Sequence, residues 1–429
     1  MCKKSATKKV SIKARSSKKE AQKEAQKELH KELKGLSLRE QAQHKQSASA
    51  QGIELPRAKR DRAKDAFRSS KKKKARAALK ESKPLSGKTL TVGIPCYNSA
   101  EYMDHAISSL LEGSNFADDL EVIIVDDGST KDNTWEKAQE WEARYPHLIK
   151  AIHQENGGHG IAVKTALKHA QGVYIKICDS DDWYDGQALL ELLGTLRNFI
   201  ECKVRVDLVV TNYVYENETY GSQRVVDFNF AIKKNKIIGW DQLGHFGYTQ
   251  NLLMHSLCYR VDVLRADGGL PMPAHTFYVD NIYAYVPLPR VKTLYYLDVN
   301  LYRYFIGRED QSVNESVMIS RLDQQFRVTD IMIKSHHLYD VESSELRAYM
   351  LGYITLMMAI CTVFAKLSGK PEDRKKLRET WVELKEFDLK MYRHARWSLL
   401  GILGNIPSKV GDVLTTNIYK AVSKVVKFN

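Results

Sequence analysis

Acidic side chains stand in two short clusters, and their positions relative to apolar runs predict a cation-binding site. Asp126 and Asp127 follow the apolar run LEVIIV. The second cluster, Asp179, Asp181 and Asp182, follows the run VYIKIC. Because the carboxyl ends of parallel strands meet at one edge of a sheet, both clusters are expected in one pocket. Carboxylates that share a pocket raise one another's pKa unless a cation neutralises them, and a hard divalent ion that also binds substrate phosphates is the simplest neutraliser.

The elements that must position these acids are predicted from hydrophobic periodicity. Each predicted strand is short and apolar: 90–94, 120–125, 148–153, 173–178 and 206–215. Three predicted helices cover 103–111, 135–144 and 188–200. A fourth begins at the loop ENGGHG and ends at His169. Asn98 and Glu101 are expected to form a capping box for the first helix. From Val317 onward the pattern is helical. This order predicts an α/β fold, with a Rossmann-like, mostly parallel central sheet and helices on both faces.

The positive charge of the chain is concentrated in its first part. Residues 1–86 contain 27 Lys and Arg against 9 Asp and Glu, whereas the remainder contains 39 basic and 43 acidic residues. A basic stripe for nucleic acid is therefore not expected in the folded part. The tail reads as a partly helical or disordered low-complexity segment, because its Lys/Glu repeat offers almost no apolar face. It is either a solvated tail or a segment attracted to an anionic membrane surface.

Cysteine spacing and apolar segments indicate where in the cell the protein is expected. The six cysteines include no CxxC pair, which argues against a disulfide framework or a zinc site and fits a reducing cytosol. A secretory signal is not recognisable at the N-terminus. The uncharged stretch 348–365 is either a buried helix or a short membrane span. The protein is expected in the cytoplasm, either free or attached peripherally at the inner face of the cell membrane.

Four motifs in order, IPCYN, VDDGS, NGGHGIAVK and DSDDW, resemble the inverting glycosyltransferases of family 2, which have the GT-A fold. The resemblance covers about residues 88–312. It implies a glycosyltransferase domain at 87–312, with a nucleotide-sugar half at 87–185 and an acceptor half at 186–312. A C-terminal helical region at 313–429, with a possible membrane contact, would follow. The implied activity is metal-dependent transfer from a nucleotide sugar, most simply a UDP-sugar, to a hydroxyl of a glycan or lipid-linked acceptor in cell-surface polysaccharide or cell-wall synthesis.

The resemblance also suggests roles for individual residues. Asp179 and Asp181 match the family's metal-binding motif, which holds Mn²⁺ or Mg²⁺ on the donor diphosphate. Asp127 matches the acid that accepts a hydrogen bond from the nucleotide base, although an Asx turn would use the same residue. The other expected donor contacts are Pro95, Tyr97, Asn156, Lys164, Arg303 and Arg308. For the two arginines a phosphate clamp and an ordinary salt bridge remain open, and His159 is either a ligand contact or a loop residue.

Asp280 matches the acceptor-side acid of the family and is the expected catalytic base. Its neighbours Tyr278, Val279 and Ile282 are apolar or aromatic, so desolvation should raise its pKa toward useful basicity. The alternative is an aspartate that caps the following helix. Val279 stands where the family more often has a glutamate.

Two other functions remain open. A nucleotidyltransferase also uses a metal and carboxylates in an α/β fold. An inactive glycosyltransferase-like tether to membrane or nucleic acid would rely on the basic tail, but a scaffold without activity has no reason to keep mutually repelling acids together. No specific nucleic acid partner is expected.

Overall fold

The computed structural model describes residues 87–217, 221–247, 250–306 and 315–406. The N-terminal tail, Arg308 and the segment 407–429 lie outside the described residues. The predictions that fall on them therefore stay predictions.

One mixed sheet organises the part of the chain that the structure describes. Its strands are β1 (Leu90–Cys96), β2 (Leu120–Asp126), β3 (Ile149–His153), β4 (Tyr174–Ile177), β5 (Trp183–Tyr184), β6 (Leu208–Asn217), β7 (Ser222–Val226), β8 (Ile237–Ile238), β9 (Leu257–Arg260) and β10 (Leu294–Ile306). The strand order is β3-β2-β1-β4-β9-β6-β10-β5, with β7 beside β6 and β8 beside β10. Strands β1 to β4 are parallel, whereas β9 is antiparallel to both neighbours. The predicted α/β class is confirmed.

Helices connect and cover these strands. They are α1 (Met103–Gly113), α2 (Thr134–Arg144), α3 (His159–His169), α4 (Gly186–Glu201), α5 (Val261–Arg265), α6 (Asp280–Tyr285), α7 (Glu315–Ser320), α8 (Leu322–Lys334), α9 (Ser344–Leu367), α10 (Pro371–Phe387), α11 (Leu389–Trp397) and α12 (Leu399–Gly404). Strands β1 and β2 are buried along their whole length, as expected for central parallel strands. Helix α3 lies close to β1, because a Cβ on Gly93 would be 2.8 Å from the Ala166 Cβ.

The prediction of a capping box at α1 is wrong. Helix α1 begins at Met103 after Tyr102, with no side-chain cap. Asn98 instead adopts a left-handed φ of 48°, and its side-chain oxygen accepts hydrogen bonds from Thr130 N and Lys131 N at 3.1 and 3.0 Å. The asparagine therefore ties the loop after β1 to the loop after β2, because it tolerates positive φ and accepts from backbone amides.

The apolar helix α9 packs in the fold and contacts residues before β9 and in α6. By length and composition it is able to cross a membrane, yet 67% of its apolar window is buried. The Tyr349 hydroxyl accepts a hydrogen bond from Leu252 N at 2.9 Å, and the Tyr353 hydroxyl donates to the Asn281 side chain at 2.9 Å. Since both tyrosines contact other parts of the fold, burial in the protein accounts for the composition of this helix.

Candidate functional site

The loop between β3 and α3 is held by Asp127. This buried carboxylate follows β2 and accepts hydrogen bonds from the Gln154 side chain, Gly157 N and Gly158 N at 2.6, 2.9 and 2.7 Å. Asn156 donates its side-chain amide to the Asp127 carbonyl at 2.9 Å. Asp127 therefore fixes the loop between β3 and α3 and does not form the Asx turn that was the alternative for this residue, because Ser129 N donates to Asp126 Oδ1 instead, at 3.2 Å. Each carboxylate oxygen has more than one lone pair, so a contact to a nucleotide base stays compatible with this geometry.

His159 lies at the start of α3 and contacts the second acidic cluster. Its Nε2 is 2.9 Å from Asp179 Oδ1. Burial lowers the pKa of His159, but the hydrogen bond and charge of Asp179, together with the charges of Asp280 and Asp181, outweigh it and raise the pKa above its ordinary value. His159 is therefore part of the site.

Asp182 is the buried member of the acidic cluster. The Tyr302 hydroxyl donates to it at 2.5 Å and Phe305 N donates at 2.8 Å, so both contacts come from β10. Burial raises the pKa of Asp182 well above its usual range, and the nearby charges of Asp181 and Asp179 raise it further. A cation at this position would relieve the repulsion.

The structure adds His255 to this cluster. Three possible ligand atoms lie within 4.8 Å of one another, one each from Asp179, Asp182 and His255. Burial lowers the pKa of His255 to about 4, so the imidazole is neutral near pH 7 and its ring nitrogens are able to bind a cation. Its buried Nδ1 has no hydrogen-bond partner among the described residues. These donors fit a divalent ion, because two carboxylates and one imidazole suit Mn²⁺ and related cations.

A buried lysine fixes the backbone of His255. Lys176 on β4 is fully buried, and its ammonium donates to the carbonyl oxygens of His255 and Leu257 at 2.5 and 3.3 Å. Burial lowers the pKa of Lys176 to about 8. The ammonium also lies 5.7 Å from the ring centre of Tyr302. Lys176 therefore holds His255 and adds positive charge near the acids.

The predicted metal pair differs from the cluster that the structure assembles. Asp179 is in both sets, but Asp181 is not among the three residues with ligand atoms in one place. Asp181 is half-buried, and its charge acts on His159 and Asp182. Its role as a metal ligand stays a prediction.

Asp280 lies at the start of α6 and is half-buried. Burial raises its pKa to about 6, with His159 lowering it and Asp179 raising it. A Cβ on Gly160 would be 3.2 Å from the Val279 side chain, so the start of α6 lies against the start of α3, where His159 contacts Asp179. The expected base therefore lies in the same region as the second acidic cluster. Asn281 Nδ2 donates to Asp280 Oδ1 at 3.3 Å, and the Tyr353 hydroxyl in turn fixes Asn281.

The remaining predicted donor contacts have different surroundings. Arg303 donates to Glu216 and Asp185 at 2.7 and 3.0 Å, which is the salt-bridge alternative for this residue. Pro95 is buried within β1, whereas Tyr97 is 50% exposed just beyond it. Lys164 lies on the exposed side of α3. A phosphate or nucleotide contact for these residues stays a prediction.

Part of the chain matches a known glycosyltransferase family. Residues 91–254 match the family model described as glycosyl transferase family 2. The putative glycosyltransferase EpsH of Bacillus subtilis is 34% identical over 128 residues, which are 30% of this chain and 34% of EpsH. The poly(ribitol-phosphate) beta-glucosyltransferase of Bacillus spizizenii is 30% identical over 171 residues, 34% of this chain and 26% of that protein.

The fold has a counterpart among solved structures. S. aureus TarS 1–349 in complex with UDP-GlcNAc has a TM-score of 0.53 and 18% identity, over 78% of this chain and 92% of that one. The match spans only 34% and 26% of the length of the two curated relatives. The family match, the curated glycosyltransferases and the shared fold agree with one another: residues 91–254 carry a family 2 glycosyltransferase domain, and the chain has a GT-A fold.

Proposed function

We propose that the protein is a metal-dependent inverting glycosyltransferase that moves a sugar from a UDP-sugar to a hydroxyl of a cell-surface or cell-wall glycan. The observation that carries this proposal is the position of Asp280. Its pKa is raised to about 6 by burial, and it lies near Asp179 and His159. A carboxylate with that pKa is mostly ionised at pH 7 and is more basic than an ordinary aspartate.

The proposed reaction is a single displacement. Asp280 takes the proton of the acceptor hydroxyl while that oxygen forms a bond to the anomeric carbon of the donor sugar. The bond from the anomeric carbon to the diphosphate oxygen breaks on the opposite face, and its electron pair leaves with UDP. Attack from one face and departure from the other invert the anomeric configuration. The Asp280 carboxylate must therefore lie on the acceptor side of the sugar.

The residues that would hold the cation are Asp179, Asp182 and His255, with Asp181 as the further candidate from the sequence motif. A bound Mn²⁺ or Mg²⁺ supplies Lewis acidity that stabilises the negative charge of the departing diphosphate. The hydrogen bond from Tyr302 keeps Asp182 in place. The hydrogen bond from His159 orients Asp179.

A UDP-sugar is the proposed donor for two reasons. TarS 1–349, which shares the fold, has been solved in complex with UDP-GlcNAc. The loop that Asp127 fixes also leads into the N-terminus of α3, where backbone amides and the helix dipole favour anions such as a diphosphate. The acceptor class follows the curated relatives, one of which is named a poly(ribitol-phosphate) beta-glucosyltransferase.

A donor screen tests the proposal. The full chain is incubated with each nucleotide sugar and Mn²⁺, with and without acceptor, and the released nucleotide is identified. Release of UDP from one donor, abolished by EDTA and restored by Mn²⁺, is the expected result. Transfer of a nucleotidyl group instead of a sugar would identify a nucleotidyltransferase. Absence of turnover with all donors and acceptors would favour an inactive tether.

We further propose that the enzyme works in the cytoplasm at an anionic membrane. The junction of α11 and α12 exposes Trp397, Leu399 and Ile402 by 68%, 65% and 45%. Residues 389–406 contain basic side chains and no acid, and residues 390–429 contain 7 Lys and Arg and 1 acid. Exposed aromatic and aliphatic groups beside basic residues suit the interface of anionic lipid bilayers.

Vesicle sedimentation tests the membrane proposal. The full chain should bind vesicles of phosphatidylglycerol and phosphatidylcholine more tightly than pure phosphatidylcholine, and salt should weaken the binding. The double variant Trp397→Ser, Leu399→Ser should bind several-fold less, whereas Val382→Ser, which removes another exposed apolar group (51% exposed), should bind like the parent. A chain without residues 1–86 serves to measure the separate contribution of the tail. Equal binding by the double variant and the parent would contradict this attachment.

A further inference from the structure

An exposed aromatic ring lies three residues before Asp280. Phe277 is 42% exposed, and the guanidinium of Arg321 lies over it, 3.5 Å from the ring centre. Single exposed aromatic groups are common on protein surfaces, so exposure alone does not indicate a ligand. Phe277 differs in that its exposed ring forms a stacked pair with Arg321, three residues before Asp280.

The backbone around Phe277 is fixed from two sides. His275 N donates to Gly157 O at 2.7 Å, which joins this segment to the loop that Asp127 holds. Gly158 has a φ of +87°, and a Cβ there would be 2.9 Å from His275 N, so only glycine permits this approach. Phe277 N donates to the Gln324 side chain at 2.8 Å. The exposed ring is therefore held by backbone contacts before any ligand arrives.

Helix α8 supplies the second side of this support. Arg327 donates to the Thr276 hydroxyl at 2.8 Å, one residue before Phe277. Arg321 directly precedes α8 and reaches back over the Phe277 ring. The acceptor half and the C-terminal helices thus meet at the segment 275–278.

The stacked pair is close to Asp280. The Asn281 side-chain amide donates to the Tyr278 carbonyl at 3.0 Å and to Asp280 Oδ1 at 3.3 Å. The ring of Tyr278 in turn lies 6.5 Å from the ring of Phe277, centre to centre. Tyr278 has a left-handed φ of 64°, which turns the chain between the Phe277 ring and Asp280.

The guanidinium is available for an anion. Among the described residues no carboxylate forms an ion pair with Arg321, whereas Arg327 beside it pairs with Asp323 at 3.8 Å. A guanidinium that lies flat on a ring keeps its N–H groups in the plane of the stack, where they are able to bind phosphate or carboxylate in a bidentate manner. The exposed part of the Phe277 ring suits the apolar face of a sugar or polyol.

We propose that Phe277 and Arg321 form an acceptor subsite for a sugar or polyol that carries a phosphate or carboxylate close to the reacting hydroxyl. The subsite rests on the proposed function, because Asp280 must be the base that this acceptor approaches. Acceptors with a phosphate and acceptors with a carboxylate share an anionic oxygen group next to a hydroxylated carbon chain. The pair recognises the acceptor and does not take part in bond breaking.

The test compares transfer with hydrolysis of the donor. The full chain, with Mn²⁺ and the donor found in the screen, is given ribitol phosphate oligomers, a glucuronate-containing oligosaccharide or a neutral gluco-oligosaccharide. The parent should prefer one of the two charged acceptors, and the better one identifies phosphate or carboxylate. Arg321→Ala and Phe277→Ala should each lower kcat/KM for that acceptor by about 10- to 100-fold, mainly through KM, with hydrolysis of the donor unchanged. Arg321→Lys should restore part of the loss and Phe277→Trp most of it.

Arg347→Ala is the matched control, because Arg347 lies 5.8 Å from the ring centre of Tyr339, which is 36% exposed. This variant should behave like the parent. A parent that hydrolyses the donor but does not prefer a charged acceptor overturns the subsite. Unchanged acceptor kinetics in Arg321→Ala and Phe277→Ala, or a parallel loss of donor hydrolysis, also overturns it. If the parent hydrolyses no donor and transfers no sugar, the proposed function fails, and the subsite fails with it.

Discussion

The Tyr302 hydroxyl bridges two acids that belong to one motif. It donates to Asp182 at 2.5 Å and accepts from the backbone N–H of Asp179 at 3.2 Å. Tyr302 belongs to β10, more than a hundred residues along the chain from these acids. The last strand of the sheet therefore fixes the segment that carries the acidic cluster, although that segment directly follows β4.

Tyr302→Phe should weaken both the fold and the site. The substitution removes the donor to a buried carboxylate, and such a loss costs about 1–3 kcal/mol. We expect the free energy of unfolding, measured by urea denaturation, to fall by that amount, and the affinity for Mn²⁺ to decrease several-fold. Tyr295→Phe on the same strand removes only a long hydrogen bond of 3.4 Å to Asn235 and should be nearly neutral. Equal effects of the two substitutions would show that the bridge is unimportant.

Cation binding should depend on His255. Removal of its imidazole takes one of three donors from the cluster, so Mn²⁺ binding by the His255→Ala variant should weaken by about 10-fold or more. Electron paramagnetic resonance of free Mn²⁺ measures this without turnover. His337→Ala, outside the cluster, is the control.

The variant Asp181→Asn tests whether Asp181 is a metal ligand, as the sequence motif predicts. Parent-like Mn²⁺ affinity in that variant would exclude Asp181 as a ligand, and parent-like affinity in His255→Ala would exclude His255.

Local patterns in the sequence predict the first four strands and the positions of both acidic clusters. The reason is physical: strands buried on both faces are continuous apolar runs, and the carboxyl ends of parallel strands share one edge. The raised pKa of Asp280 was also predictable, because its apolar neighbours lie next to it in the sequence.

The contributions of His255 and Tyr302 were not predictable in this way. His255 lies two residues before β9, which lies antiparallel between β4 and β6. Its distance from Asp179 follows from that long-range pairing, and no periodicity near residue 255 encodes it. The nearest signal in the sequence is the aromatic-rich stretch 240–304, which marks a buried region without showing which side chains meet the acids. The prediction for Asn98 was wrong for another reason, because its side chain contacts a loop and does not cap the helix.

The acidic limb of the pH profile should report Asp280. The base must be ionised, and burial raises its pKa from an ordinary value of 3.8 to about 6. The rate of transfer should therefore fall as the pH decreases through about 6, where an ordinary aspartate would keep activity to about pH 4. The measurement is kcat/KM between pH 4.5 and 8.5 at saturating Mn²⁺. A limb near pH 4 would place the base in a more exposed position.

Asp280→Asn should reduce transfer while it stabilises the folded protein. Without the base, transfer should fall by about 10²- to 10⁴-fold, whereas UDP affinity should remain close to that of the parent. Because the folded-state pKa is raised, the ionised carboxylate destabilises the folded protein, and this cost grows as the pH rises from about 4 through about 6. At pH 7.5 the variant should be more stable by about 1–3 kcal/mol, and the difference should vanish near pH 4. Denaturation at both pH values, together with calorimetry of UDP binding, measures these effects. A variant that transfers sugar at the parent rate would show that the base lies elsewhere, and the segment 262–267 would be the next to examine.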